Sequence, residues 1–448
     1  MHLPGERQSS SWQVMLRPEL AISALAIAKH IAKRLRDPEV VLTANEQLKY
    51  QTPYAQYYLA PDDSCYSGRA GLALLCAQLA AVFPEDEWDV VAHQHLQAVT
   101  SMLSTRPTTY FRTGASSLCS LLFVILLLSR NGTRYQRLLS TLEAQTLPEV
   151  RALAQHILAE RTHGCHASVY DHLHGLAGMG TYLLCRCHIP AVAETLQTVL
   201  SALIYLTEEK DGIPHWFTPF EHIDAEILKK KYPEGYLNCG FAHGIPGLLA
   251  LLSIARSCKV EVPGLENGIR RAADWLIQHR MTDAWGINWP AVFPLGKSFS
   301  PIGGSRTAWC YGIPGVARAL WLAGQALDYA PYREAALEGM YSVYRQPDTT
   351  RQIEPAGFCH GLAGLLHITL RFASETQDER FVEVANTLCE QFVANYQPEA
   401  LFGYRALGTG RYPMDLPGLL YGAAGNVLVL LASATSHEPI WDRLFLLT

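Results

Sequence analysis

Cys310, Cys359 and His360 are the residues of this chain whose types and placement best suit a metal ion. Cys359 and His360 stand side by side in Gly357-Phe358-Cys359-His360-Gly361-Leu362-Ala363-Gly364, and Cys310 takes the matching place in Trp309-Cys310-Tyr311-Gly312-Ile313-Pro314-Gly315. Both segments have an aromatic-containing lead-in, a cysteine, and a G-x-x-G that opens onto an apolar run. One structural position is therefore used twice for chemistry. Three Cys/His ligands, rather than four, suit a catalytic zinc that keeps its fourth position for water or substrate.

Cys-His adjacency alone is not the signal, because Cys165-His166 and Cys187-His188 are adjacent too. A cysteine in such a place ordinarily behaves as a small hydrophobe, and only the 359–360 pair falls on the repeated position. Cys239 and Cys65 precede other copies of the repeat but lie outside its pentapeptide, and they read as structural. His243 and His174 occupy the position of His360 without a neighbouring cysteine. A lone histidine there often caps or packs, yet beside a metal a group titrating near neutrality is a natural acid or base. Asp171, three residues before His174, is placed to orient a histidine or to pair with a cation, which Arg306, four residues before Cys310, could supply.

A repeat must position these groups. The pentapeptide recurs with its first glycine at 68, 175, 244, 312, 361 and 422, and a degenerate copy, Thr113-Gly114-Ala115-Ser116-Ser117, fills the widest gap. The seven copies are 46 to 69 residues apart, long enough for two helices and their loops. Each is followed by a run that is apolar on nearly all faces, such as Leu248 to Leu252, which must be buried all round as a helix. Between these runs lie amphipathic segments such as Gly268 to Ile277, with charges opposite the apolar face. The alternation predicts an all-α fold, an α/α toroid with an inner ring of seven helices wrapped by an outer ring. Pro246 and Pro314 fit the first turn of inner helices, where a missing N–H costs nothing. The inner N-termini should gather at one end, bringing Asp171, His174, His243, Tyr311 and the Cys/His pair to one cavity mouth. Residues 1–448 read as a single domain. Two intervals, at about 207–238 and 286–305, look non-helical and read as loops or short β pieces covering a substrate on that face.

Composition narrows the function. With 448 residues and 49% hydrophobic content, the chain can bury a large core. Thirty-six basic against 41 acidic residues, net −5, leave no excess for a nucleic-acid partner. Lys229-Lys230-Lys231 is too short a run for that and reads as a solvated loop. The N-terminus lacks the apolar stretch of a secretory signal, and Leu121 to Leu128 is about half the length of a spanning helix. These features predict a soluble, cytosolic protein. Eleven cysteines scattered through such a chain argue against a disulfide framework.

With these motifs in hand, the sequence resembles the lanthionine synthetase C-like family, the cyclases that close thioether rings in lanthipeptides. The resemblance runs from about Ser64 onward. It rests on the repeat, on R-x-x-x-C-Y-G (Arg306 to Gly312) with C-H-G (Cys359 to Gly361), on Tyr170-Asp171 and on Ala242-His243-Gly244. It implies one zinc ion on Cys310, Cys359 and His360, an active site completed by Asp171, His243, Arg306 and Tyr311, and an accessory lobe built from the insertions. The implied reaction adds peptide cysteine thiolates to dehydroalanine or dehydrobutyrine, giving lanthionine or methyllanthionine. His243 is the first candidate to protonate the resulting enolate, with Asp171 and Arg306 orienting the site and Tyr311 near the metal or oxyanion. The length leaves no room for an attached dehydratase. The expected partners are therefore a dehydrated precursor peptide, leader plus core, a separate dehydratase and an export transporter, with peripheral attachment to a membrane-bound assembly compatible with a cytosolic enzyme. The second repeat departs from the pattern by lacking its second glycine, which bears on local packing alone. Protein prenylation, another zinc-thiolate alkylation on an α/α barrel, would require a basic diphosphate pocket, and no such cluster is present. The other alternative is a non-catalytic, zinc-containing relative that binds glutathione or another thiol. Such a protein keeps the three ligands, whereas Asp171 and His243 favour the enzyme.

Overall fold

The computed structural model describes residues 12–58, 64–106, 115–296 and 305–448. The all-apolar runs form helices Arg69–Val82, Ala115–Leu128, Leu176–Cys185, Ile245–Ser257, Ile313–Ala326, Leu362–Thr376 and Ala423–Ala434. Each packs on the next and the last packs on the first, closing an inner ring. Thr113 and Gly114 of the degenerate repeat lie outside the described residues, as do 297–304 of the second insertion and the first eleven residues.

Six outer helices, Trp88–Ser104, Gln136–Ala159, Pro190–Leu206, Leu265–Gln278, Ala330–Arg345 and Glu379–Ala394, each follow an inner helix and fold back on it. Their sequence explains why. Leu265–Gln278 buries Leu265, Gly268, Ile269, Ala272, Ala273 and Leu276, one stripe at helical spacing, and turns its charges outward. The seventh outer helix corrects the expectation of seven contiguous helix pairs. After Ala434 the described chain forms the 3₁₀ turn Ile440–Phe445 rather than another α-helix. Pro18–Leu35, from the N-terminal end, packs on Ala423–Ala434 instead, and the Trp12 indole donates to the Ala432 carbonyl at 2.9 Å.

The G-x-x-G motif is a close-packing device. The loops before six of the inner helices double back, so the second glycine meets a carbonyl six residues upstream: a Cβ would stand 1.9 Å from the Phe358 oxygen at Gly364 and 2.3 Å from the Trp309 oxygen at Gly315. Gly312 adds a backbone requirement, with φ at +104° and the Arg306 oxygen 1.5 Å from a built Cβ. Neighbouring loops are then tied by backbone hydrogen bonds, from His172 N–H to Ala242 O (3.2 Å), Ala242 N–H to Cys310 O (3.2 Å), Cys310 N–H to Cys359 O (3.3 Å), Cys359 N–H to Leu420 O (2.8 Å) and Leu420 N–H to Tyr66 O (2.9 Å).

The axis of the ring is filled by the chain's own C-terminal segment. Ile440–Phe445 forms a 3₁₀ turn that sets the Phe445 ring 4.2 Å from Phe358 and 5.2 Å from Trp309. Asp442, fully buried, accepts from Arg371 at 2.6 and 2.9 Å and pairs with His367 at 2.7 Å. Arg318 donates to the Leu447 carbonyl at 2.9 Å.

The two insertions meet through an antiparallel ladder of Tyr236–Asn238 with Val292–Pro294, and Met281–Asp283 pairs with Gly286–Asn288. One part is helical, against expectation. Glu226–Lys231 forms a short helix carrying Lys229-Lys230-Lys231, with a Glu226–Lys229 pair at 3.2 Å. None of its residues is buried, so it has no apolar stripe by which a sequence pattern could reveal it. Among the described residues no helix is long and apolar enough to cross a membrane, and none of the eleven cysteines forms a disulfide.

Burial alone would raise the Asp442 carboxyl, but the Arg371 charge and the His367 bond outweigh it and hold it well below the usual range. Its stabilising effect is thus present above about pH 3.9, the unfolded value, and is lost as pH falls through the folded one. Asp442→Asn is expected to cost about 3–5 kcal/mol at pH 7, since it leaves the buried Arg371 guanidinium without its anion. Denaturant unfolding should find this difference narrowing below about pH 4.

Candidate active site

Cys310 and Cys359 end the loops before Ile313–Ala326 and Leu362–Thr376. The Cys310 N–H to Cys359 O bond fixes these loops side by side. The two sulfurs and one His360 nitrogen lie within 4.8 Å of one another. Both cysteines are buried and His360 is partly so. A hydrogen bond with Cys359 draws the Cys310 thiol down to about 5 against its burial, with His360 and Arg306 adding to the effect. Burial, and then the Cys310 sulfur beside it, push Cys359 well above the ordinary thiol range. Burial would lower His360, but its bonds to Cys310 and Glu354 lift it to about 9. Three donors thus converge with little water and compete for protons. Two soft sulfurs and an imidazole in this arrangement fit zinc, which would replace those protons.

Glu354 completes this set. One carboxylate oxygen pairs with His360 Nε2 at 3.2 Å and the other accepts from the Leu407 N–H at 3.2 Å. A carboxylate bound this way fixes the tautomer and orientation of a ligating imidazole. Glu354 lies outside the repeated pentapeptide, so the repeat carried no signal for it.

A second cluster forms around Asp171, which is 1% exposed. Its Oδ1 accepts from the backbone N–H groups of His174 (2.6 Å) and Gly175 (2.9 Å). Oδ2 faces His243 Nδ1 at 2.7 Å and His174 Nδ1 at 3.5 Å. Burial would raise this carboxyl, but its bonds with the two histidines hold it well below the ordinary range. The bond to Asp171 raises His174 against its own burial. The two imidazoles stack, centroids 5.7 Å apart. Asp171 is therefore partnered by histidines, while Arg306 lies exposed on the wall beside Cys310.

A cavity of about 460 Å³ brings the groups together: His243, Arg306, Cys310, Tyr311, Cys359 and His360 line it. Ala291, from the second insertion, forms part of its wall. Burial pushes the Tyr311 hydroxyl up, and that hydroxyl accepts from the Asn238 amide at 3.2 Å. Asn238 is a second contributor without a motif. Cys239 stays outside this set, buried with its thiol toward the Leu237 carbonyl at 3.6 Å.

The architecture is that of an α/α toroid whose inner-helix loops present a Cys₂His set and an Asp-His pair at one mouth. The profile of the lanthionine synthetase C-like protein family matches residues 60–446. The chain belongs to that family. It is 24% identical over 379 residues to the nisin biosynthesis protein NisC of Lactococcus lactis subsp. lactis, an alignment covering 81% of this chain and 84% of the relative. The solved structure of a nisin cyclase matches its fold with a TM-score of 0.70 at 22% identity, covering 89% of this chain and 96% of the other.

Replacing Glu354 by Gln removes the charged partner of His360 while leaving the three donors. The affinity of the Cys310–Cys359–His360 set for zinc is expected to fall about 10- to 100-fold, read by competition with a chromophoric chelator. Unchanged affinity would show that Glu354 does not set the histidine's orientation.

Proposed function

We propose that this protein is a zinc-dependent lanthipeptide cyclase, joining cysteine thiols of a dehydrated precursor peptide to dehydroalanine or dehydrobutyrine as lanthionine or methyllanthionine. The observation that carries this reading is one cavity holding both a Cys₂His donor set and a histidine backed by a buried carboxylate. Cys310, Cys359 and His360 would hold the zinc, which supplies an open position where a substrate thiol, with an ordinary pKa near ~8.5, is held deprotonated at neutral pH.

The chain's own residues do the rest. Attack of the sulfur on the β-carbon forms the S–C bond and moves the double-bond electrons to the α-carbon and its carbonyl. His243 then delivers the proton that Cα requires. Its Nδ1 is committed to Asp171, so Nε2 is the position from which it gives that proton. Asp171 fixes the orientation of the ring through that bond. Arg306 and the Tyr311 hydroxyl stand on the same wall to stabilise the developing oxyanion. The Ala291 segment narrows the mouth, which suits an extended peptide. The proton lost by the thiol balances the one gained at carbon, and the peptide keeps its mass. A dehydratase must supply the substrate of this chemistry, and a separate dehydratase and an exporter of the finished peptide are partners we propose, meeting it in the cytosol.

The test is incubation of zinc-loaded protein with a dehydrated, cysteine-containing precursor, followed by thiol alkylation and tandem mass spectrometry. Enzyme-dependent loss of alkylatable thiols, absent in Cys310→Ala, is the expected result. Persistent free thiols on a cognate peptide despite bound zinc would transfer the assignment to a thiol-binding scaffold. His243→Asn should keep its zinc and lose about 100-fold or more in correct ring formation; wild-type rates would remove His243 from the proton transfer.

A further inference from the structure

We propose that Asp171, His174 and His243 form a second metal site, distinct from the Cys₂His set, whose occupation by zinc shuts off the proton-donating histidine. One donor atom from each residue lies within 4.8 Å of the other two. Two distances are explicit, 2.7 Å and 3.5 Å from the shared Asp171 Oδ2 to the Nδ1 atoms of His243 and His174. They bracket the ~3.3 Å that separates neighbouring ligands around a tetrahedral zinc with bonds near 2.0–2.1 Å. A small contraction of an existing cluster would therefore close on the ion.

The carboxylate is already prepared for this role. Its Oδ1 is satisfied by the N–H groups of His174 and Gly175, which leaves Oδ2 as the oxygen turned to both imidazoles. Such outer hydrogen bonds fix a metal-ligating carboxylate in place. His174 is the most exposed member, its side chain 63% accessible, so the ion enters from solvent and a coordination position stays open to water. Two imidazoles and a carboxylate bind zinc-group ions without thiolate. The two sites therefore differ in ligand chemistry and can be told apart by spectroscopy.

Binding would have one consequence for the proposed reaction. The ion replaces the protons shared between Oδ2 and the two Nδ1 atoms, so protons are released as it binds. A His243 coordinated through Nδ1 cannot be an imidazolium, and its Nε2 proton is then no longer acidic enough to transfer. Zinc would thus support cyclisation at one equivalent and oppose it in excess. Binding at this site stands independently of the cyclase reading, whereas inhibition rests on it.

The experiment titrates metal-free full-length protein with Co²⁺ and then Zn²⁺, in wild type and His174→Gln. The His174 side chain is largely exposed and its bond to Asp171 Oδ1 comes from the backbone, so the variant tests a ligand rather than the fold. Wild type should take up two equivalents, one with thiolate-to-metal charge-transfer absorption and one without. His174→Gln should keep the first and lose the second. A single equivalent in wild type, or two in the variant, overturns the site. In parallel, ring formation on a dehydrated peptide at matched free zinc should fall at least tenfold in wild type between one equivalent and excess, and hold steady in the variant. Equal inhibition of both proteins overturns the inhibitory role. Absence of rings in wild type at one equivalent would count against the cyclase reading and leave the stoichiometry to decide the site.

Discussion

The backbone hydrogen bonds that lace the inner-helix loops together are what the rest of the structure depends on. From His172 through Ala242, Cys310, Cys359 and Leu420 to Tyr66, the N–H of one loop meets the carbonyl of the next at 2.8 to 3.3 Å. These groups sit in the interior, where an unpaired peptide polar group costs as much as a lost hydrogen bond. The loops they join therefore hold a defined register at the mouth of the ring. Side chains that leave adjacent loops, such as Cys310 and Cys359, are then fixed relative to each other by the fold itself.

That constraint explains the two glycines of the six complete repeats. A loop doubling back within hydrogen-bonding reach of its neighbours brings its own carbonyl onto the first turn of the following helix. Only a residue without Cβ fits there, as the 1.9 Å approach at Gly364 makes plain. The same compactness strips water from the residues beside the glycines. This is why Cys310, Cys359 and His360 perturb one another so strongly, and why Asp171 can anchor His243 while nearly inaccessible. Packing and reactivity have one cause here.

At the centre of the ring the chain supplies its own filling. An inner ring of helices would leave an axial gap, and the aromatic side chains of the C-terminal segment occupy it, with Asp442 neutralised by Arg371 and hydrogen-bonded to His367. The site at the mouth thus rests on a floor of packed rings that includes Phe358 and Trp309, the residues directly before Cys359 and Cys310. The end of the chain and the candidate metal ligands are mechanically joined through these two aromatics.

Local pattern was enough to read the inner ring and which chemistry-bearing residues gather at its mouth. Apolar runs at every face demand burial, G-x-x-G marks where each begins, and the Cys and His residues stand at a constant offset from it, so the seven-fold toroid and the grouping of Cys310, Cys359, His360 and His243 could be read from the sequence. What it could not carry was anything settled by contacts distant along the chain. The N-terminal helix Pro18–Leu35 completes the outer ring only because it meets Ala423–Ala434. Glu354 and Asn238 support His360 and Tyr311 from places with no repeat. Asp171 turns to histidines rather than to Arg306 because its carboxylate faces the neighbouring loop. The helix Glu226–Lys231 buries nothing and so leaves no periodic trace. Periodicity records which face of a segment is buried; only the closed ring decides which surface it is buried against.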